Sequence, residues 1–124
     1  MRETNDYFKG ILIKILDSYA ILENLTDNST DLQVLKIEMA KTMGFFTIIH
    51  RKLRIMDNKS SEFSTLEKIV AEYIKNYDFS REIDLLLKTY SEDISRVKNI
   101  RISILKSLND NKLIEKMYDI SKKL

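Results

Sequence analysis

The sequence predicts an all-α fold: an antiparallel bundle of four main helices closed by a short C-terminal one. Apolar residues recur at steps of three and four along most of the chain, and no segment alternates with a period of two. Proline is absent and glycine occurs only twice, so the residues that build tight turns and β-corners are nearly missing. The breaks between periodic segments are short and polar, which implies antiparallel neighbours.

The first helix is predicted from about Asp6 to Leu25, on the spacing of Phe8, Leu12, Ile15, Tyr19 and Leu22. Thr26 to Thr30 is a polar break, and Thr30 with Gln33 reads as a capping box. The second helix is predicted over about Asp31 to Met56, with the stripe Leu32, Leu35, Met39, Met43, Phe46, Ile49, Leu53 and Met56. Gly44 falls inside it at a cost of about 1 kcal/mol against alanine, so a close packing contact is expected there. After the break at Asp57 to Glu62, Ser64 and Glu67 form a second capping box. It opens a third helix at Thr65, carrying Leu66, Ile69, Val70, Tyr73, Ile74 and Tyr77. Ser80 reads as the N-cap of a fourth helix, Arg81 to about Leu108, with the seam Ile83, Leu87, Tyr90, Ile94, Val97, Arg101, Ile104 and Leu108. The alternative is a break of this helix near Ser91, since Thr89 and Glu92 also make a capping box. Asn109 to Asn111 ends it, and a short helix carries Leu113, Ile114, Met117 and Ile120.

With 124 residues, 44% hydrophobic and 32% charged, the chain is sized for one domain with its own core. No run of 18 apolar residues suggests a membrane span. The first six residues are polar and partly acidic, unlike a secretory signal, so a cytoplasmic location is expected. On that expectation the tripeptides beginning at Asn24, Asn28 and Asn58 are loop polarity rather than glycosylation sites.

Several chemistries lack their residues. There is no cysteine, hence no disulfide, thiolate metal site or thiol nucleophile. His50 is the sole histidine, so histidine-paired metal sites cannot form within one chain, and no arginine stands four to six residues before it. Gly10 and Gly44 lie far apart, so no phosphate-cradling loop exists, and the Gly-x-Ser-x-Gly nucleophile motif is absent. The acid pairs Glu3 with Asp6 and Asp78 with Glu82 straddle predicted helix starts, where acids complement the macrodipole. Adjacent Glu92 and Asp93 diverge by about 100° on a helix. A carboxylate-dependent hydrolase is therefore the third reading of function, behind two that bind, and no cofactor or metal is expected.

The charge balance, 21 cations against 19 anions, is even, but its distribution is not. Met39 to Met56 contains no acid and holds Lys41, Arg51, Lys52 and Arg54. Ile94 to Asn109 contains no acid and holds Arg96, Lys98, Arg101 and Lys106. If the second and fourth helices run parallel, these eight cations gather at one end and form a candidate nucleic-acid or anion site. The ordinary alternative is stabilisation of helix C-termini. Arg101 stands in a seam, where pairing with a carboxylate from another helix is expected. His50 is expected at the core edge, and Tyr73, Tyr77 and Phe79 in the core rather than as a base-stacking platform.

The second helix is apolar on two faces: Val34, Ile37, Ile48 and Ile55 lie opposite its main stripe, beside Lys41 and Lys52. A continuous fourth helix would also overrun the second by roughly 20 Å, leaving Ile100, Ile104, Leu108, Leu113 and Met117 uncovered. Together these rows form a candidate homodimer interface. The leading expectation is a non-catalytic helical subunit working through self-association and a protein partner. The alternative is a small RNA- or DNA-backbone-binding subunit.

Overall fold

A computed structural model describes residues 2–124, with side chains for residues 6–124 other than Ser29. The architecture is all-α: α1 (Arg2–Glu23), α2 (Ser29–Ile55), α3 (Ser61–Asn76), α4 (Ser80–Thr89), α5 (Ile94–Leu108), a 3-10 turn (Asp110–Lys112) and α6 (Leu113–Lys123). No strand occurs among the described residues. The helices pack around one apolar cluster, to which the predicted stripes of α1, α2 and α3 contribute as expected: Phe8, Leu12, Ile15 and Leu22; Leu32, Leu35, Met39, Phe46, Ile49 and Leu53; Leu66, Ile69, Val70 and Tyr73.

The starts of the helices differ from the predicted caps. Asn28, not Thr30, caps α2: its Oδ1 accepts from the Asp31 amide at 2.7 Å. Asp31 in turn accepts from the Thr26 amide and hydroxyl, each at 2.6 Å, and these bonds hold its carboxyl below the usual range. Ser60, not Ser64, caps α3 by accepting from the Phe63 amide. Ser80 is the first residue of α4 rather than its cap; its amide and hydroxyl both donate to Asp78 Oδ1. In α2 and α3 a side chain nearer the loop completes the helix first, so the inner capping box is used as ordinary helix.

The largest departure is the fourth predicted helix, which is not continuous. It breaks over Tyr90 to Asp93 into α4 and α5. Asp93 caps α5 by accepting from the Arg96 amide at 3.1 Å. The Arg96 guanidinium pairs back with Asp93 and lies 3.9 Å from the Tyr90 ring centroid, clasping the break from both sides. The break falls where the alternative placed it, but Asp93 rather than Thr89 supplies the cap.

Arg101 explains why α5 folds back. Its Nε and Nη2 donate to the two carboxylate oxygens of Asp27 at 2.5 and 3.1 Å, and Nη1 reaches the Leu22 and Glu23 carbonyls at 3.3 Å. One guanidinium thus joins α5 to the α1–α2 loop and to the last carbonyls of α1. Asp27 is held at φ 67°, a left-handed conformation that aspartate tolerates better than most residues. The expectation of a cross-helix carboxylate for Arg101 is met.

With α5 turned inward, Ile104, Leu108, Leu113 and Met117 are fully buried and Ile100 is half-buried. Asn111 and Lys112, both at positive φ, turn the chain so that α6 packs on α1 and α3. The overrun expected of a continuous helix does not exist, and these residues fill the chain's own core rather than an interface between copies. Tyr73 sits in that core with its hydroxyl 2.8 Å from Ser107 Oγ, and burial pushes its phenol up to about 12.

Two outcomes follow. Asp27→Asn keeps the backbone preference but leaves the Arg101 charge short of its partner, so it should cost about 2–3 kcal/mol in chemical denaturation. Adding Arg101→Met should cost less than the sum of the two single changes. For Tyr73, the folded value lies above the unfolded value near 10. Its contribution is therefore complete below pH 10 and is lost as pH rises through about 12. Between those limits the denaturation midpoint of Tyr73→Phe should fall less steeply with pH than that of the parent chain.

Candidate functional site

Four of the nine exposed large apolar side chains among the described residues, Tyr7, Ile21, Ile37 and Ile55, lie along the outer side of the α1–α2 pair, whereas Ile13, Leu85, Ile94, Ile102 and Tyr118 are scattered over α1, α4, α5 and α6. On α2, Ile37 is 56% exposed and Ile55 72%, while Val34 and Ile48 are half-buried. The second apolar face read from the sequence therefore stays on the surface. These residues recur along one line of the helix with Lys41 and Lys52 between them, because steps of three, four and seven return to nearly the same angle.

The antiparallel register sets α1 beside this line. Lys14 Nζ lies 5.9 Å from the Phe45 ring centroid, and Lys52 Nζ lies 5.1 Å from that of Tyr7. Ser18 donates to Glu38 at 2.9 Å, and Lys41 Nζ lies 3.2 Å from the same carboxylate. Tyr7 and Ile21, both exposed, thereby extend the apolar row onto α1. Two shallow hollows line the row. One, about 330 Å³, is bounded by residues that include Ile21, Lys41 and Phe45; the other, about 280 Å³, by Phe8, Lys52, Ile55 and Met56.

Gly44 lies exposed in this face, and a Cβ built on it meets nothing within 4 Å. The close contact expected for it is not made within the chain. An exposed mid-helix glycine costs helix stability without an internal reason.

The eight cations are not brought together. Arg51, Lys52 and Arg54 occupy the last turns of α2, whereas Arg101 meets Asp27 just before its first turn, about 40 Å away along a 27-residue helix. Arg101 sits at Asp27 and Asn109 at Tyr19, so α5 lies toward the start of α2 and its cations fall short of those at the other end. Arg96 is engaged with Asp93 and Tyr90, and Arg101 with Asp27; Lys98 and Lys106 are exposed on α5. Lys41, Arg51, Lys52 and Arg54 are exposed on α2.

His50 is half-buried at the margin of the α2 stripe. Tyr73 is core, while Tyr77 and Phe79 are half-buried and stack 6.2 Å apart at 8°. They border a groove of about 330 Å³ shared with Met39, Met43 and Ile83. Asp78 is occupied in ordering Ser80, and its carboxyl is held low by those two hydrogen bonds. The pair Glu3 with Asp6 lies partly outside the described side chains. Among the described residues no group of three or more His, Asp or Glu side chains is placed to hold a metal ion, and no helix is long and apolar enough to cross a membrane.

Several contributors escaped the sequence reading, among them Lys14, Ile21 and Phe45, and two show why. Tyr7 reads as an N-terminal polar-face residue until the helix register sets it against Lys52. Glu38, only 6% exposed, reads as a surface acid, and its sole local signal is Lys41 three residues on. Comparison with protein-family models, curated proteins and solved structures gives no match to this chain.

Because nothing in the chain opposes a side chain at Gly44, Gly44→Ala should stabilise the isolated protein by about 0.5–1 kcal/mol. Thermal denaturation followed by circular dichroism measures it; a lower midpoint would mean that the glycine serves the fold itself.

Proposed function

We propose that the chain is a non-catalytic helical subunit that works by binding another protein along the outer α1–α2 face. The observation that carries this reading is the row of exposed Tyr7, Ile21, Ile37 and Ile55 and half-buried Ile48, interleaved with Lys14, Lys41 and Lys52. Exposed apolar residues aligned along a face favour a covering partner more than scattered ones do. Phosphate binding would draw on the lysines and arginines but would gain little from covering isoleucine. The separation of the α2 and α5 cations also removes the continuous basic track on which a nucleic-acid reading depends.

A second copy is a poorer occupant than a different protein. Two such faces in contact would oppose Lys41, Arg51, Lys52 and Arg54 with the same four cations. The residues of the C-terminal hairpin proposed for self-association lie in the core of the single chain.

Lysine cross-linking in cells that make the protein tests this reading, with isotope-mixed chains separating self-links from links to other proteins. Links to other proteins should concentrate at Lys14, Lys41 and Lys52 relative to Lys98, Lys106 and Lys112. An even spread, or links between copies alone, would contradict it.

A further inference from the structure

We infer that the partner presents an acidic amphipathic α-helix, laid along α2 with its closest approach at Gly44. This deepens the reading above and rests on it. Three separate features converge on that occupant.

The first is shape. The row from Ile37 to Ile55 lies within one helix and rises about 27 Å, the length of five helical turns. The hollow at Phe45 and the hollow at Ile55 are 10 residues apart along α2, about 15 Å. A partner helix offers side chains on one face at spacings of 7 and 11 residues, about 10 to 16 Å, and so can seat one apolar side chain in each. An extended strand would need an open sheet edge to pair with, and none exists among the described residues.

The second is charge. From Met39 to Met56 α2 has no acid, and Lys41, Arg51, Lys52 and Arg54 are all exposed. Glu38 is buried against Ser18 and Lys41, so it presents little negative surface to an incoming group; Asp17 on α1 is the exposed acid lining the Phe45 hollow. Glutamates flanking the apolar face of a partner helix would meet cations on both sides of the isoleucine row. A basic helix would set like charge against Arg51, Lys52 and Arg54 at a desolvated rim, and a second copy would do the same.

The third is Gly44. It lies between Ile37 and Ile48 with no atom of another part of the chain near its missing Cβ. Glycine at that position lets a second backbone come close, which helix-on-helix packing uses and which the monomer leaves unused.

The experiment uses the full chain, labelled with nitrogen-15, and a synthetic helix of about 20 residues with leucine on one face and glutamate on the flanks. Companion probes are the same helix with lysine for glutamate, a scrambled peptide of the acidic composition, and a single-stranded RNA oligomer. The acidic helix should bind saturably and shift amides along 37–55 and near Tyr7. Its affinity should fall about tenfold between about 50 mM and 300 mM salt. The lysine and scrambled peptides should not bind. Ile48→Glu should abolish binding. Gly44→Leu should weaken it at least about tenfold with helix content unchanged, because the position is exposed and a Cβ there meets nothing in the free chain.

Equal binding of the scrambled peptide, no saturable shift with the acidic helix, or full affinity in Gly44→Leu would overturn the inference. Shifts from RNA alone would replace it with a phosphate-binding face. If cross-links in cells still gather at Lys41 and Lys52 while the acidic helix fails, the docking face stands and its partner has other chemistry. If both fail, the functional reading falls with the inference.

Discussion

One guanidinium fixes where α5 meets the α1–α2 loop. Arg101 donates four hydrogen bonds, two to the Asp27 carboxylate in the α1–α2 loop and two to the final carbonyls of α1. Those carbonyls have no partner within their own helix, so the same contact caps α1. The pair is largely shielded, with side-chain exposures of 15% and 9%, and so is sensitive to loss of either member. Because Arg101 must meet Asp27, α5 cannot continue in line with α4. The break at Tyr90 to Asp93 and the inward course of α5 are two sides of one constraint.

That constraint decides what the molecule leaves uncovered. With α5 turned in, Val97, Ile104 and Leu108 join Leu12, Ile15 and Leu22 in one core, and α6 closes against α1 and α3. The outer side of α2 receives no such cover. α1 packs along one flank of α2 and α3 and α4 along another, so the line through Ile37, Ile48 and Ile55 faces outward. A core that is complete within one chain and an apolar, cationic row outside it belong to the same account.

Much of this architecture was legible in the residues. The stripes through Leu12, Phe46, Leu66 and Met117 follow from periodicity alone, because burial selects one side of each helix. The pairing expected for Arg101 could be read from a charge standing in an apolar seam. The fate of residues 81–108 could not: Ile83, Leu87, Tyr90, Ile94 and Val97 keep helical spacing across the break, so periodicity passes through it unaltered. Only the local competition among Thr89, Ser91 and Asp93 for capping marks the place, and Asn28 and Ser60 prevailed over inner boxes by the same kind of competition. The candidate face was half legible. Its α2 row stands in the sequence, but Tyr7, Lys14 and Ile21 join it only through the register of two antiparallel helices. The cationic end was misread for a related reason, since the break places Arg101 at the start of α2 and leaves the α5 charges short of its end.

Native-state hydrogen exchange read residue by residue tests the break most directly. Amides at Ser91, Glu92, Ile94 and Ser95 should exchange fast, because the break interrupts the helical ladder around them. Those of Ile104 to Leu108, and those of α6 beyond its first turn, should be protected close to the level of global unfolding. Slow exchange running unbroken from Leu87 through Val97, with α6 exchanging fast, would mean one long helix with an exposed C-terminal hairpin, and would contradict the closed core on which the docking face depends.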